Sequence, residues 1–183
     1  MKHVIGMDPG FASFGVAVLE LERESEKPIY MGVLRTKKSA TKLKVLAADD
    51  NFRRAQRLVE ALTKIVLAHD VVAFGAESMS FPRNASSSAK LGMSWGAIAA
   101  LASQHNIPVF QCTPQQLKNR VAGSKKASKT DVANALRHLY PRTDFAQLLE
   151  KLPAGEHEHA WDALGSVVVC LDAEPVKMVR RML

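Results

Sequence analysis

The sequence has few cysteines, few acidic residues and no long hydrophobic run, and each shortage excludes a class of protein. Only two of the 183 residues are cysteine, Cys112 and Cys170, and their apolar surroundings are typical of buried thiols in a reducing compartment. No stretch approaches the ~20 apolar residues that a membrane-spanning helix needs. Residues 1–7 are too short an apolar run for a signal peptide, because Asp8 interrupts it. We therefore expect a cytoplasmic protein with no membrane partner.

The shortage of acids leaves a formal net charge of +7, from 25 Lys and Arg against 18 Asp and Glu. A positive excess favours an anionic partner, such as nucleic acid or a membrane surface, without choosing between them. Hydrophobic residues make up 47% of the chain, which predicts a folded globule. The length predicts a single domain over residues 1–183, with a basic C-terminal tail at residues 175–183.

Apolar runs and turn signals predict the order of elements in the first half. Three successive strands, at residues 4–7, 13–20 and 29–36, are joined by short links and indicate an antiparallel meander. A helix follows, because apolar residues such as Leu58 and Leu62 recur at steps of three and four. Residues 71–76 then form a β-branched apolar run, typical of a buried parallel strand reached by a helical crossover.

The second half is predicted to be mainly helical. We expect helices at residues 86–104, 114–121, about 130–140 and 156–172, a strand at 108–111, and a connection with one helical turn at 141–155. The fold class is therefore α/β, with a five-stranded mixed sheet of three antiparallel and then parallel strands, flanked by helices. Alanine and glycine are frequent at residues 86–104 and allow close approach of a neighbour, which is either the sheet or a second subunit.

Three acidic residues stand where core elements end. Asp8 and Glu77 each follow a buried strand, and Asp162 lies beside the apolar middle of the last helix. If the two strands are neighbours, their carboxylates meet at one edge of the sheet, and His159 shares a helical face with Asp162. Clustered carboxylates repel unless a cation binds, and their hard oxygens suit Mg²⁺ or Mn²⁺. The pattern predicts a divalent-metal site, where two ions ~3.5–4 Å apart can activate a water against a phosphodiester.

Basic residues cluster after the predicted fifth strand. A solvated charged face is the ordinary explanation for such a run, but the overall charge makes a phosphate-binding wall at least as good an interpretation. The cluster consists of Lys118, Arg120, Lys125, Lys126 and Lys129. The polar loop after Glu77 carries Phe81, Arg83 and Asn84 at the same predicted edge.

Two competing motifs are excluded by their spacing. His157-Glu158-His159 suggests zinc, but a zincin helix needs its second histidine where Trp161 stands, and no cysteine is near. The Asp8–Gly10 turn lacks the G-x-x-x-x-G-K pattern of a phosphate-binding loop.

The residues singled out, taken in chain order, resemble the RuvC-type Holliday-junction resolvases. The resemblance covers about residues 4–172, and a series of motifs in this order is specific where a lone Asp-Pro-Gly would be weak. The motifs are Gly6-Met7-Asp8-Pro9-Gly10 with Gly15, Ala76-Glu77-Ser78, Asn84-Ala85, Ser88-Ala89-Lys90-Leu91-Gly92, Gln116-Leu117-Lys118, Val121-Ala122-Gly123, Lys129 and His159-Ala160-Trp161-Asp162-Ala163-Leu164.

The resemblance implies a ribonuclease H-like fold and a homodimer that cuts two strands of a four-way DNA junction at symmetric positions. It implies Mg²⁺ as cofactor, with Mn²⁺ able to substitute and two ions per site. The helix at residues 86–104 matches the family's dimer helix. The family's metal-binding positions fall on Asp8, Glu77, His159 and Asp162, of which the third is Asp in many members and His in some.

Further DNA contacts are implied by the same resemblance. Two family lysines that contact the scissile region fall on Lys118 and Lys129. The family aromatic that stacks on junction bases follows the strand-end Glu by three positions. Ser80 stands there in this chain, and Phe81, one position later, is expected to take its place.

Three other functions compete with junction resolution. A nuclease of the same fold could act on flaps, RNA–DNA hybrids or other branched DNA. A DNA-binding module could recognise junction shape without cutting, although the intact acids argue against it. A sugar-kinase or actin-like ATPase also has a strand-end Asp, but that fold needs two domains and therefore a longer chain.

Overall fold

The computed structural model describes residues 1–40, 45–79, 84–141 and 143–183. Five strands lie in this part of the chain, and they form one sheet in the order β3-β2-β1-β4-β5. The strands are β1 Lys2–Asp8, β2 Ser13–Leu21, β3 Glu26–Arg35, β4 Asp70–Glu77 and β5 Val109–Cys112. β1, β2 and β3 pair antiparallel, and β1 with β4 and β4 with β5 pair parallel. The predicted five-stranded mixed sheet is confirmed.

Seven α-helices are present in the same ranges. They are α1 Ala47–Leu67, α2 Ala85–His105, α3 Pro114–Ala122, α4 Lys129–Leu139, α5 Thr143–Glu150, α6 His157–Cys170 and α7 Glu174–Arg181, with a 3-10 turn at Ala154–Glu156. None of the described helices combines the length and the apolar character of a membrane span.

Alternation along β1 assigns its side chains to two cores. Ile5 and Met7 are fully buried against helices α1 and α2 on one face of the sheet. Val4 is buried in the other core, together with Leu164 of α6. Because neighbouring residues in a strand point to opposite faces, Gly6 and Asp8 lie on the α6 face with Val4. The last helix therefore crosses the sheet on the side to which Asp8 points.

Local signals account for the boundaries of the helices after β5. Thr113 caps α3, where its side chain accepts a hydrogen bond from the Gln116 amide and the Gln116 side chain reciprocates. Ser128 and Asp131 form the same arrangement at the start of α4. Capping boxes of this kind satisfy amides that the first helical turn leaves unpaired. The Ser128 cap fixes the end of the basic loop that joins the two helices.

The connection expected at residues 141–155 contains helix α5, so the prediction of a single helical turn is wrong. Phe145 and Leu149 are 3% and 8% exposed and join the core of the α6 face. Phe145 lies 5.4 Å from Trp161, ring centroid to ring centroid. This burial against α6 stabilises a short helix that has little local signal of its own.

The basic tail expected at residues 175–183 is mostly helix α7. Val176 is 1% exposed and fixes the helix to the core. Arg180 contributes a second anchor, since its Nη1 atom lies 3.2 Å from Oε2 of Glu26 at the start of β3. The segment is basic but ordered by packing and by an ion pair.

Candidate active site

Asp8 and Glu77 lie side by side at one edge of the sheet. β1 and β4 are parallel neighbours, and Met7 pairs with Ala76 immediately before the two acids. Neighbouring strands lie about 4.8 Å apart, so the strand ends deliver both carboxylates to one place. The condition for the predicted meeting of these two acids, that their strands are neighbours, is met.

Glycines let helix α6 come close to this edge. A Cβ atom at Gly15, which pairs with Asp8, would lie only 2.1 Å from the carbonyl oxygen of His159. Cβ atoms at Gly6 and Gly75 would lie 2.0 Å and 2.7 Å from other carbonyl oxygens of α6. No side chain fits at such distances, and the helix therefore rests directly on the backbone of three adjacent strands.

The same glycines explain the direction of the acids. Gly6 stands two residues before Asp8, and Gly75 stands two residues before Glu77. Residues two apart in a strand share a face, so both carboxylates lie on the side of the sheet that α6 covers. Asp162, in the second turn of α6, faces them from above.

His159 and Asp8 make a direct contact within the site. Nδ1 of His159 lies 2.6 Å from Oδ2 of Asp8. The hydrogen bond to Asp8 raises the pKa of His159, against the opposing effect of partial burial. The pair joins the first strand to the last helix.

Glu77 and Asp162 carry strongly raised pKa values. Burial and the charges of Asp162 and Asp8 raise the pKa of Glu77 to about 7. Burial and the charge of Asp8 raise the pKa of Asp162 to about 6. The raised pKa values show that both carboxyl groups are buried and lie in the negative field of neighbouring acids. Groups perturbed in this way often mark functional sites.

Two lysines border the acids. A cavity of about 210 Å³ is lined by Glu77, Asp162, Lys118 and Lys129. Lys129 Nζ pairs with the carboxylate of Glu158, and this bond raises the pKa of the lysine. Lys118 is half-buried in α3, and its charge lowers the pKa of Glu77. The cavity thus offers carboxylates on one wall and ammonium groups on another.

Comparison with known proteins identifies the family. The family model for crossover junction endodeoxyribonuclease RuvC matches residues 4–166. The chain belongs to the RuvC family. The relative named crossover junction endodeoxyribonuclease RuvC from Pseudothermotoga lettingae is 33% identical over 144 residues, which cover 74% of this chain and 78% of that protein. The relative of the same name from Shewanella woodyi is 29% identical over 170 residues, or 93% of this chain and 86% of that one.

Solved structures agree on the fold. Thermus thermophilus RuvC in complex with a Holliday junction substrate superposes with a TM-score of 0.70 at 21% identity, covering 91% of both chains. The yeast mitochondrial Holliday junction resolvase Ydc2 superposes with a TM-score of 0.61 at 12% identity, covering 98% of this chain and 83% of that one. The predicted family, the ribonuclease H-like fold class and the endodeoxyribonuclease class are confirmed.

RuvC enzymes are metal-dependent nucleases, and the donor set of this chain fits a hard divalent cation. Three carboxylates and an imidazole are ligands that such ions accept. A dication would offset the charges of Asp162 and Asp8, which together with burial, the larger cause, raise the pKa of Glu77. Among the residues that the structure describes, no three His, Cys, Asp or Glu side chains stand close enough to form a metal site. His159 instead bonds to Asp8.

The rest of the predicted RuvC-type DNA surface falls into three groups. Lys125 and Lys126 are exposed on the loop between α3 and α4. Asn84 caps helix α2, since its side-chain oxygen accepts a hydrogen bond from the Ser87 amide. Phe81 and Arg83 lie outside the described residues.

Arg120, which was also predicted to contact DNA, forms an ion pair away from the acids. Its Nε and Nη2 atoms lie 2.5 Å and 3.1 Å from the carboxylate oxygens of Asp172. Asp172 follows the C-terminal end of α6, whereas His159 and Asp162 stand near its beginning. Arg120 is therefore not brought together with the acids.

Sequence reasoning missed two partners of this site. Glu158 pairs with Lys129, and Arg35 at the end of β3 pairs with Glu156, with Nε 2.5 Å from Oε1. Neither pair has a local sequence signal, because each joins segments far apart in the chain. A signal was available in the Gly-x-acid pattern of β1 and β4, Gly6-Met7-Asp8 and Gly75-Ala76-Glu77. The repeated glycine indicates that another element packs closely on both strands beside the acids.

Proposed function

We propose that this RuvC-family protein resolves four-way DNA junctions as a homodimer, by Mg²⁺-dependent hydrolysis of two phosphodiesters at symmetric positions that leaves 5′-phosphate ends. The observation that carries the proposal is that Glu77 and Asp162 line one cavity with Lys118 and Lys129, next to the strand end that carries Asp8. Support comes from the Thermus thermophilus relative, which was solved with a Holliday junction. Because the substrate is DNA, we place the protein in the cytoplasm.

Asp8, Glu77, His159 and Asp162 would hold the metal, with Mg²⁺ or Mn²⁺ as the ion and two ions per site. Bound ions of this kind supply an activated water and stabilise the leaving oxygen. The protein would contribute the negative charge that attracts them, since the pKa values of Glu77 and Asp162 are raised by burial and by the charges of neighbouring acids. His159 could act as a ligand through Nε2 while its Nδ1–H still donates to Asp8, but the protonated ring, which Asp8 stabilises, would first have to lose one proton.

Lys118 and Lys129 would act on the DNA. Both line the cavity that contains Glu77 and Asp162, so a phosphate placed near the acids lies between ammonium groups. Positive charge placed in advance where negative charge develops lowers the barrier of a phosphoryl transfer. Lys125 and Lys126 extend the basic surface away from the cavity and would neutralise phosphates of the same DNA arm.

Helix α2 would form the dimer interface. On its outer face, Cβ atoms added at Gly92 or Gly96 would meet nothing within 4 Å. Phe52 of the neighbouring helix α1 is 65% exposed. A partner helix can come close to this face, and a two-fold dimer presents one active site to each half of a two-fold junction.

Cleavage of a synthetic mobile four-way junction, with Mg²⁺ and with chelator, tests the proposal. We expect paired symmetric nicks that require metal. Asp8→Asn should lower the cleavage rate about a hundredfold or more and leave junction binding intact, because the variant loses a ligand and not the basic surface. The matched control is Asp70→Asn at the opposite end of β4, where Asp70 pairs with Lys2.

A panel of labelled flaps, RNA–DNA hybrids and linear duplexes separates junction resolution from the other nuclease activities. Preference for a flap or a hybrid would replace the proposed substrate. Junction binding without cleavage in Mg²⁺ or Mn²⁺ would identify a shape-recognising module instead.

A further inference from the structure

Arg54 of helix α1 is a buried cation whose hydrogen bonds run to a loop. The residue is 4% exposed. Its Nε atom lies 3.1 Å from the hydroxyl oxygen of Thr36, and its Nη2 atom lies 3.1 Å from the carbonyl oxygen of the same residue. Burying a charge is costly unless hydrogen bonds compensate. The two hydrogen bonds to Thr36 supply that compensation, so the position of Arg54 is linked to the position of this loop.

Thr36 is hydrogen-bonded to the turn that follows Asp8. The Thr36 hydroxyl donates a hydrogen bond to the carbonyl oxygen of Phe11, and the Thr36 amide donates to the carbonyl oxygen of Ala12 at 3.1 Å. The guanidinium of Arg54 also lies 4.5 Å from the centre of the Phe11 ring. Phe11 is 7% exposed, so one buried network holds both its backbone and its side chain.

This turn begins at Asp8. The Gly10 amide donates to the carbonyl oxygen of Asp8 at 2.8 Å, and a Cβ atom at Gly10 would lie 2.0 Å from the carbonyl oxygen of Ser13. The turn is therefore tight at its start and braced at Phe11 and Ala12. Rotation of such a turn would move the Asp8 carboxylate relative to Glu77, which repels it.

We propose that Arg54 is a positioning residue, which acts through Thr36 and Phe11 to hold the turn that orients the Asp8 carboxylate for cleavage. The expected effect on kcat rests on the proposed function. The brace, by which we mean the contacts of Arg54 and Thr36 with Phe11 and Ala12, can be tested without metal or DNA. A misplacement of about 1 Å at a reacting group can cost up to about a hundredfold in rate. Loosening the turn should therefore lower kcat and leave the basic DNA surface unchanged.

Paired substitutions at Thr36 separate the hydrogen bonds from packing. Thr36→Val keeps the shape and removes the hydroxyl, whereas Thr36→Ser keeps the hydroxyl. We expect Thr36→Val and Arg54→Met to lower kcat about tenfold or more with unchanged junction Kd, and Thr36→Ser to retain most of the activity. Leu62→Ala, in the core between α1 and the sheet, is the stability control, and all variants are assayed well below their Tm.

Amide hydrogen exchange of the metal-free proteins gives the second readout. Exchange at residues 10–13 should be faster in Thr36→Val and Arg54→Met, and unchanged in Leu62→Ala. The proposal is overturned if Thr36→Val keeps kcat within twofold of wild type, or if exchange at residues 10–13 stays at the wild-type rate. Absence of junction cleavage by the wild-type protein would defeat the proposed function, and the exchange experiment would still decide whether the brace exists.

Discussion

Nδ1 of His159 lies 2.6 Å from Oδ2 of Asp8, so two side chains that we propose as ligands of one metal site are hydrogen-bonded to each other. His159 could serve as a ligand through Nε2 and keep this bond, but the imidazolium that Asp8 stabilises would first have to lose a proton. Metal binding is therefore linked to protonation. Glu77 and Asp162 add to the linkage, since both must ionise to become ligands and both have raised pKa values.

The stability of the metal-free protein should fall as pH rises from 5.5 to 8. The pKa of Glu77 is about 7 in the folded protein against an ordinary 4.5, so the folded state keeps a proton that the unfolded chain has lost, and stability decreases over that interval. Asp162 acts in the same direction up to about pH 6. Because the pKa of His159 is raised, its protonated ring stabilises the folded protein below pH 6.5, and this contribution is lost at higher pH.

Urea unfolding in chelator at the two pH values measures this effect, for which we expect about 2 kcal/mol after allowance for partial exposure. Glu77→Gln should remove most of the difference. Asp70→Asn should leave it intact, because pairing with Lys2 lowers the pKa of Asp70 below the range tested. Saturating Mg²⁺ should reverse the trend, since ionised carboxylates bind the cation. A metal-free stability that rises with pH would contradict the assignment of the raised pKa values.

The strand-end acids could be predicted from the sequence because burial and charge conflict there locally. Asp8 and Glu77 each end an apolar run, and parallel pairing of two such strands follows from a helical crossover. The position of α6 over them depends on close approach at Gly6, Gly15 and Gly75, which is a tertiary fact. The contact between His159 and Asp8 spans 151 positions, and no local pattern encodes it.

Partners of exposed charges were beyond prediction for a similar reason. Arg120 and Lys118 are two residues apart on α3, yet one pairs with Asp172 and the other faces Glu77. Positions two apart on a helix point in different directions. The full length of α5 and the helical state of α7 were not predicted, because each helix is only eight residues long and is stabilised by one or two buried residues rather than by propensity.

Gly15→Ala should abolish the close contact between β2 and α6. The new Cβ atom would lie 2.1 Å from the carbonyl oxygen of His159, and the helix would have to move away from Asp8. We expect a loss of about 3 kcal/mol or more in unfolding free energy, as for severe overpacking, measured by urea denaturation. Gly155→Ala is the control, because a Cβ atom there meets nothing within 4 Å. Equal stability of the two variants would show that α6 can shift without cost.

Gly96→Leu should separate the subunits of the proposed dimer. Gly96 lies on the open face of α2, so leucine is tolerated in an isolated subunit and obstructs a partner helix. Sedimentation should show monomers at concentrations where the wild-type protein is dimeric, with an unchanged circular dichroism spectrum. Junction cleavage should change from paired to single nicks.

Gly155→Leu serves as the matched control for the dimer test, since it adds the same side chain at another open glycine outside α2. It should leave the association state unchanged. If the Gly96 variant remains dimeric, the interface lies on a face other than α2.

Glu158→Gln should strengthen junction binding. Glu158 pairs with Lys129 beside the acidic cavity, and removal of its charge leaves the ammonium group available to a phosphate. We expect Kd to fall severalfold at low salt and the slope of log K against log salt to steepen by about one ion. Lys129→Gln should make the slope shallower by the same amount. Unchanged salt dependence in both variants would place Lys129 outside the DNA surface.

Arg120→Gln should lower stability slightly and leave DNA binding unchanged. Its ion pair with Asp172 is roughly half exposed on both sides, and such pairs contribute up to about 1 kcal/mol. The position of Asp172 after the far end of α6 keeps Arg120 away from the acids.

Lys125→Gln and Lys126→Gln change exposed cations on the loop before α4 and should each reduce the salt slope by about one ion. Measurement of junction Kd at several salt concentrations compares the three variants, and a reduced slope for Arg120→Gln would return this residue to the DNA-binding surface.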